Sequence, residues 1–313
     1  MTQGFQADTG TPRSASFLHS ALGLYNRVAV KASHQVIKRY STSFSMSTLL
    51  LSPQIRRDIR NLYAVVRIAD EIVDGTAEAA GYTPAQIEEL LDDYEAAVLA
   101  SPEQHFHTDL VLQAYGETAR RCNFQEEHVV AFFASMRRDL TAHEHDPGSF
   151  EAYVYGSAEV IGLLCLSVFN QGRPVSARRQ EEMKDGARAL GAAFQKINFL
   201  RDLAEDQQDL GRTYFPGTTA GALTESEKQQ LIADIRIDLE AADRTYPALP
   251  VQARIGVIAA ALLFEGLTDR IEQTPAEKLL EERISIPKLT KLQILGRATA
   301  RGLAMSIYRK KSA

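Results

Sequence analysis

The chain has 313 residues, of which 45% are hydrophobic, and a formal net charge of −5 at pH 7. This content is ample for a packed core, and the acidic balance argues against a general nucleic-acid-binding protein, so no nucleic-acid partner is expected. The only two cysteines, Cys122 and Cys165, do not suggest a disulfide framework and favour a reducing, cytoplasmic location.

The first segment, residues 1–16, is rich in Thr, Ser, Gly and Gln and lacks the apolar stretch of a signal peptide. It is expected to be a disordered lead-in. Across residues 17–313 the apolar residues recur with the 3.6-residue period of helices, and capping boxes are predicted at Thr83, Thr224 and Thr274. The pattern predicts a single all-α domain over 17–313. The longest apolar runs are about half of the ~20 residues that span a bilayer, so no integral membrane segment is expected.

The first candidate site is an acidic pair, Asp70 and Asp74, in the predicted helix at residues 62–74. This spacing places two carboxylates one turn apart on one helix face, and Tyr63 and Arg67 extend the same face. The remaining positions are mostly apolar, so the polar stripe is narrow. A salt bridge between Arg67 and the acids on an exposed helix is the simpler explanation for one such pair.

A second acidic pair with the same spacing, Asp202 and Asp206, lies later in the chain. Gln195 and Asn198 precede it at positions that continue one polar stripe along a predicted helix. The neighbouring residues are largely apolar, which indicates that the stripe points into an interior cavity. The alternative is that the stripe is the edge of a solvent-facing side.

Two facing carboxylate pairs repel each other and raise their own pKa values unless cations neutralise them. Mg²⁺ binds through one or two carboxylates together with water and phosphate oxygens, so the pairs predict a metal-bound diphosphate. Arg67 and Arg201, one beside each pair, would complete an anion clamp. The implied chemistry is metal-assisted departure of diphosphate. The sequence has neither a P-loop nor a dinucleotide-binding glycine motif, so no nucleotide cofactor is expected.

The C-terminal segment is strongly basic. From residue 288 to residue 313 it has no acidic residue, and its basic residues alternate with leucines. The basic residues are Lys288, Lys291, Arg297, Arg301, Arg309, Lys310 and Lys311. This pattern predicts a helix that docks peripherally on the inner, anionic face of a membrane. A solvated basic face on a terminal helix fits the pattern equally well.

Six ordered motifs extend along most of the chain. They are YSTSF at 40–44, LYAVVRIADEIVD at 62–74, YVYGSAEVIG at 153–162, FQKINFLRDLAED at 194–206, GRTYFP at 211–216 and RISIP at 283–287. Together they resemble the squalene and phytoene synthases, the head-to-head prenyl synthases, and the sequences of the motifs are most similar to those of bacterial phytoene synthases. The resemblance implies an all-α isoprenoid synthase fold around a central cavity.

The resemblance also implies roles for individual residues. The expected ligands of Mg²⁺, or of Mn²⁺ in its place, are Asp70, Asp74, Asn198, Asp202 and Asp206. The residues expected to hold the diphosphate or the adjoining prenyl carbons are Ser41, Ser43, Tyr63, Arg67, Gln195, Arg201 and Tyr214. The four aspartates and Tyr153, which would lie beside the reacting centre, are the expected catalytic residues.

The reaction implied by the resemblance is head-to-head joining of two geranylgeranyl diphosphates through a cyclopropylcarbinyl diphosphate, which gives phytoene in carotenoid biosynthesis. One alternative is a squalene or dehydrosqualene synthase that uses farnesyl diphosphate. Terpene cyclases and chain-elongating synthases form a second enzyme class with related site chemistry. The remaining alternative is a non-catalytic all-α assembly factor of the same fold.

Some positions depart from the family pattern. Thr42 stands where a basic residue is common, Phe264 where a tyrosine is common, and Glu159 where a glycine is usual. The loop between Asp206 and Arg212 is one residue longer than usual. Glu159, a carboxylate near the expected cavity wall, is a candidate for an additional active-site group.

Overall fold

A computed structural model describes residues 15–141, 146–171, 174–204, 215 and 223–311. In these ranges the chain is all-α, without a β-strand, as expected. The expected lead-in at 1–16 lies outside the described residues up to residue 14, and the first helix begins at Ala15.

The helices of the first half contain three buried acidic residues, Asp58, Glu95 and Asp139, and the first acidic motif. In chain order they are α1 (Ala15–Tyr40), α2 (Thr42–Thr48), α3 (Pro53–Val73), α4 (Thr76–Ala79), α5 (Pro84–Ala100), α6 (Leu110–Cys122) and α7 (Glu126–Asp139). The helices of the second half carry the second acidic motif. They are α8 (Pro147–Val154), α9 (Val160–Asn170), α10 (Ala177–Arg201), α11 (Glu225–Thr245), α12 (Val251–Gln273), α13 (Ala276–Leu279) and α14 (Lys288–Lys311).

Side-chain caps fix several of the helix starts. The predicted capping boxes of Thr83 with Gln86 and Thr224 with Glu227 are both present. The box predicted at Thr274 is wrong: the Thr274 hydroxyl donates to a carbonyl of the preceding helix, and Pro275 is the N-cap of α13 without a side-chain bond. A Thr-Pro sequence therefore ends α12 here instead of capping the next helix.

The helices pack around a cavity of about 980 Å³. One wall comes from α2 and α3, the opposite wall from α10, and the remaining sides from α8, α9 and α12. Buried apolar faces of the same helices form the core behind these walls. The fold thus places the end of α3, with Asp70 and Asp74, and the end of α10, with Asp202, on one internal space.

Two segments of the described chain, Pro147–Asn170 and Val251–Gln273, are long and apolar enough by composition to span a membrane. Half of the apolar window of the first and 72% of that of the second are buried inside the fold. Both segments contribute residues to the cavity wall, among them Ala158 and Gly162 in the first and Val257 in the second. Lining an apolar chamber from within the core accounts for this composition.

Candidate active site

The cavity has a polar mouth and an apolar interior. The polar part includes the expected site residues Ser41, Ser43, Tyr63, Arg67, Asp70, Asp74, Tyr153, Gln195, Asn198, Arg201 and Asp202, all of which line this one space. Two further expected residues, Asp206 and Tyr214, lie outside the described residues. The interior is lined largely by aromatic and aliphatic side chains, as expected for a chamber that holds a hydrocarbon chain.

The first acidic pair lies at the end of α3. Asp70 is in its last turn and Asp74 is the C-cap residue, after which Gly75 turns the chain with φ of 96°. Burial, and then the negative charge of Asp74, raise the pKa of the Asp70 carboxyl well above its usual range. Arg67 lies 3.9 Å from Asp70 and also pairs with Glu71. The pair is therefore a carboxylate site that favours a cation.

The second acidic pair begins at the end of α10. The predicted polar stripe holds from Gln195 to Asp202, but the helix ends at Arg201 and Asp202 is its C-cap residue, four residues before Asp206. Arg201 Nε donates to Asp202 Oδ1 at 2.7 Å, and Arg283 Nε lies 2.8 Å from the same oxygen. In this state two guanidinium groups neutralise the carboxylate that was expected to bind metal.

Asn198 provides an oxygen donor one turn before Asp202. Its Oδ1 atom is buried, and the described part of the chain offers it no hydrogen-bond partner. A buried amide oxygen without a partner is costly unless a ligand satisfies it. Together with the carboxylates it forms an all-oxygen donor set of the kind that Mg²⁺ prefers. Within the described ranges no three His, Cys, Asp or Glu residues lie close enough together to hold a metal ion by themselves.

Serine and tyrosine groups lie on the wall made by α2 and α3. Ser41 is the N-cap of α2 and its hydroxyl accepts a hydrogen bond from the Phe44 amide at 3.3 Å. Burial raises the pKa of Tyr63 to about 12, so its hydroxyl stays protonated and can donate at neutral pH. The Ser43 hydroxyl lies on the same short helix.

Three charged residues of the described cavity wall were not predicted from the sequence as site residues. Asp139, at the end of α7, accepts a hydrogen bond from the Tyr153 hydroxyl at 2.9 Å. Arg283 contacts Asp202, and Lys291 Nζ donates to Thr42 Oγ1 at 3.0 Å. Lys291 thus brings a positive charge to the position where Thr42 replaces a basic residue. Arg283 was within a recognised motif, but nothing in the sequence indicates that Lys291 reaches across to α2.

The prediction for Glu159 is wrong. Its carboxylate does not line the cavity; it forms an ion pair with Arg188 on α10, with Nε and Oε2 2.7 Å apart. Arg188 also lies over the ring of Tyr155. Glu159 is the last residue of a π-helical turn at Tyr155–Glu159, and a π-helical turn shifts the phase of the helix faces relative to a regular α-helix.

Phe264 forms part of an aromatic cluster in the cavity wall. Its ring stacks on Phe194 with centroids 3.9 Å apart and lies 5.5 Å from the ring of Phe44. The substitution of phenylalanine for tyrosine therefore places a wholly apolar ring against the chamber.

Comparison with known proteins agrees with this geometry. The profile of the family described as squalene/phytoene synthase matches residues 37–290. The chain belongs to the squalene/phytoene synthase family. Members of this family are prenyl-transferring enzymes that act on prenyl diphosphates, which agrees with a charged mouth above an apolar chamber.

Several curated members of the squalene/phytoene synthase family are similar over most of this chain. A 15-cis-phytoene synthase of Paracoccus sp. (strain N81106 / MBIC 01143) is 28% identical over 283 residues, which cover 85% of this chain and 90% of that protein. Phytoene synthase 2 of Solanum lycopersicum is 28% identical over 86% of this chain and 89% of its own length. A 15-cis-phytoene synthase of Synechocystis sp. is 28% identical, with 78% and 77% covered.

Solved structures show the same isoprenoid synthase fold. A dehydrosqualene synthase in complex with a ligand superposes with a TM-score of 0.73 at 19% identity, covering 90% of this chain and 98% of that one. The squalene synthase HpnC from Alicyclobacillus acidocaldarius has a TM-score of 0.67 at 20% identity, covering 81% and 97%. At these identities the structures establish the fold of this chain.

Proposed function

We propose that this chain is a phytoene synthase that joins two geranylgeranyl diphosphates head to head through a cyclopropylcarbinyl diphosphate. The observation that carries the proposal is the meeting of two acidic helix ends, Asp70 with Asp74 and Asn198 with Asp202, at the mouth of one apolar cavity of about 980 Å³. The choice of the C20 substrate is supported by the similarity to proteins named phytoene synthase in both bacteria and plants.

The donor set fits Mg²⁺, with Mn²⁺ as a substitute. Asp70 and Asp74 would hold it from α3, and Asn198 and Asp202 from α10, with Asp206 as a further proposed ligand. When bound, the metal neutralises the negative charge that develops on the departing diphosphate. The unsatisfied Asn198 oxygen and the raised pKa of Asp70 both support a cation at this mouth.

The chain's own side chains then bind and orient the substrates. Arg67, Arg201 and Tyr63 would contact the diphosphate from both walls, together with Ser41, Ser43 and Gln195. Tyr214, outside the described residues, is a further proposed contact. Guanidinium groups suit this task because they bind phosphate oxygens in a bidentate manner. The aromatic cluster of Phe44, Phe194 and Phe264 holds the prenyl chains, excludes water from the carbocations and presents ring faces that stabilise positive charge.

Product analysis tests the proposal directly. The purified full-length protein is incubated with Mg²⁺ and either geranylgeranyl or farnesyl diphosphate, and the hydrocarbons are identified by mass spectrometry. We expect a C40 product from geranylgeranyl diphosphate and loss of product with EDTA. A C30 hydrocarbon from farnesyl diphosphate alone would instead assign a dehydrosqualene or squalene synthase. A cyclised terpene or a lengthened diphosphate would refute head-to-head joining.

We also propose peripheral contact of α14 with an anionic membrane on the cytoplasmic side. Leu289, Leu292 and Leu303 of this helix are exposed, and the helix has basic residues but no acidic one. Exposed leucines beside basic residues match a helix that lies in the headgroup region, where each Lys or Arg near the surface contributes about 1 kcal/mol. Substrates with long prenyl tails would reach the site from such a surface.

Flotation with anionic liposomes tests this contact. Truncation after Pro287 would also remove the buried residues Ile294 and Ala298, so the Leu292→Ser, Leu303→Ser double variant is the better comparison. We expect weaker flotation than for the wild type, and weaker flotation of both proteins at high salt. Equal flotation of the two proteins would exclude docking through this face.

A further inference from the structure

Tyr153 and Asp139 form a hydrogen-bonded pair in the wall of the cavity. The Tyr153 hydroxyl donates to Asp139 Oδ2 at 2.9 Å, and the two residues are 3% and 8% exposed. Both line the cavity. Burial of a carboxylate is costly even when it is hydrogen-bonded, and an apolar pair would serve packing better. This pair therefore calls for an explanation in the chemistry of the cavity.

The pair lies at the border between the charged mouth and the apolar chamber. On the side of the mouth, burial and then the charge of Asp74 raise the pKa of the Asp70 carboxyl, and the charge of Asp139 raises it further. Towards the chamber, the Tyr153 ring packs against Phe199 with centroids 5.9 Å apart. In a prenyl diphosphate, C1 joins the diphosphate to the hydrocarbon chain. With the diphosphate at the mouth and the chain in the chamber, C1 lies at the same border as this pair.

The backbone around Tyr153 is held firmly against α7. Ser135 Oγ donates to the Tyr153 carbonyl at 3.3 Å. A Cβ atom at Gly156, in the π-helical turn that follows, would collide with Ser135 and with the Ala131 carbonyl. Only glycine allows this close approach, which fixes Tyr153 beside the end of α7 where Asp139 lies.

Head-to-head joining of two allylic diphosphates to a hydrocarbon with a central double bond removes two diphosphate anions and two protons. One proton is lost when the cyclopropane ring closes, and the other when the central double bond forms. Both leave carbons that were C1 of a substrate. A proton acceptor is therefore needed beside the C1 atoms in each half-reaction.

We propose that Asp139, acting through Tyr153, accepts these protons; the inference rests on the proposed function. In each step a C1–H bond breaks, and its electron pair becomes the ring C–C bond or the central C=C bond. The proton passes to the Tyr153 hydroxyl oxygen while the hydroxyl proton passes to Asp139 Oδ2. Tyr153 stays neutral and Asp139 becomes a carboxylic acid, which releases its proton to water through the mouth before the next transfer.

The test compares Asp139→Asn and Tyr153→Phe with the wild type, using substrate deuterated at C1. The asparagine keeps an oxygen that accepts the Tyr153 hydrogen bond but cannot take up the proton. We expect kcat for the joined hydrocarbon to fall on the order of 10²-fold, with KM little changed. A primary isotope effect larger than that of the wild type should appear, because C1–H cleavage becomes rate-limiting. A purely structural role would not create this isotope effect.

Glu159→Gln is the matched control, since it makes the same chemical change at a nearby carboxylate that does not line the cavity. It should retain the wild-type kcat and isotope effect. Circular dichroism and thermal melting establish that each variant is folded. A wild-type kcat and isotope effect in Asp139→Asn, a loss confined to KM, or full kcat in Tyr153→Phe would each overturn the proposal.

The substrate for this test is whichever prenyl diphosphate the wild type joins. An error in the assigned chain length would therefore leave the relay measurable. A wild-type protein that forms no joined hydrocarbon from either substrate would remove the proposed function, and this inference with it.

Discussion

Asp74 and Asp202 occupy equivalent positions in two helices on opposite walls of one cavity: Asp74 is the C-cap residue of α3, and Asp202 is the C-cap residue of α10. A helix C-terminus carries a partial negative charge, so a carboxylate placed there adds to an unfavourable field. Both positions therefore favour a cation. At Asp202 the guanidinium groups of Arg201 and Arg283 provide the positive charge in this structure.

This relationship predicts that metal and diphosphate together stabilise the protein through both helix ends. Mg²⁺ with inorganic diphosphate should raise the melting temperature of the wild type, because a ligand at about 100 times its Kd adds about 2.7 kcal/mol to the free energy of unfolding. Asp74→Asn and Asp202→Asn should each lose most of this shift. Glu88→Gln, an exposed position on α5, serves as the control and should keep it. A full shift in both aspartate variants would contradict a metal site at these C-caps.

Lys291 provides a second prediction for substrate binding. Its amine reaches Thr42 at the cavity, and burial, followed by the nearby charges of Arg201 and Lys288, lowers its pKa. An ammonium crowded by other cations gains from an anionic partner, so we expect it to bind the diphosphate. Lys291→Gln should raise KM by about tenfold or more, since a hydrogen bond to a charged group contributes about 1.5–3 kcal/mol.

The control for this measurement is Lys288→Gln. Lys288 is exposed at the start of the same helix and does not line the cavity, so its KM should stay near the wild-type value. Equal effects of the two substitutions would indicate general electrostatic attraction instead of a specific contact.

Local periodicity was enough to predict the all-α class and the two polar stripes, because residues at i, i+3, i+4 and i+7 share a helix face whatever the rest of the chain does. Predicting that Asp70 and Asp74 share one face required only that their segment be helical. The motifs then related the two stripes to one site, and the structure places Asp70 and Asp202 on one cavity.

Other features depend on contacts between distant segments. Lys291 and Thr42 are 249 positions apart in sequence, and Asp139 becomes significant only because it meets Tyr153. Glu159 was misplaced because a π-helical turn of five residues alters the phase of the helix. No local pattern in the sequence indicates that turn, within which Gly156 packs so closely on α7 that a Cβ atom would collide with it.

The two thiols should be poorly reactive in the folded protein. Burial raises the pKa of Cys165 to about 12, and burial together with the charge of Asp58 raises that of Cys122 to about 11. Because the thiolate is the nucleophile, alkylation at pH 8 should be slow for the native protein and fast in denaturant. Rapid labelling of either thiol in the native protein at pH 8 would contradict this assignment.

The raised pKa values of the two thiols also make the free energy of unfolding depend on pH. An unfolded thiol ionises near pH 8.5, so above that pH the unfolded state loses protons that the folded state retains. The free energy of unfolding should therefore decrease as pH rises from about 9 towards 11, by linkage. Urea denaturation at a series of pH values measures the slope. Replacing both cysteines with serine should make this slope less steep. An unchanged slope would show that other titratable groups cause the pH dependence.

Asp58, which does not line the cavity, should be a principal determinant of stability. Its side chain is fully buried on α3, and its two oxygens lie 2.7 and 2.9 Å from the guanidinium of Arg121 on α6. Gln171, after α9, donates to it at 2.6 Å, and Gln54 at 3.0 Å. One carboxylate thus connects three segments of the first half of the fold.

Asp58 is fully buried, but the side chain of Arg121 is 39% exposed and can turn to water when the carboxylate is removed. The cost is therefore that of the lost hydrogen bonds to a charged group, about 1.5–3 kcal/mol. Asp58→Ala should therefore lower the free energy of urea-induced unfolding by about that amount, and Asp58→Asn by less, because the amide oxygen still accepts one hydrogen bond. Asp93→Ala, at an exposed position on α5, should change it by no more than about 0.5 kcal/mol. A loss in Asp58→Ala as small as that of Asp93→Ala would show that water replaces the carboxylate and that the network contributes little to stability.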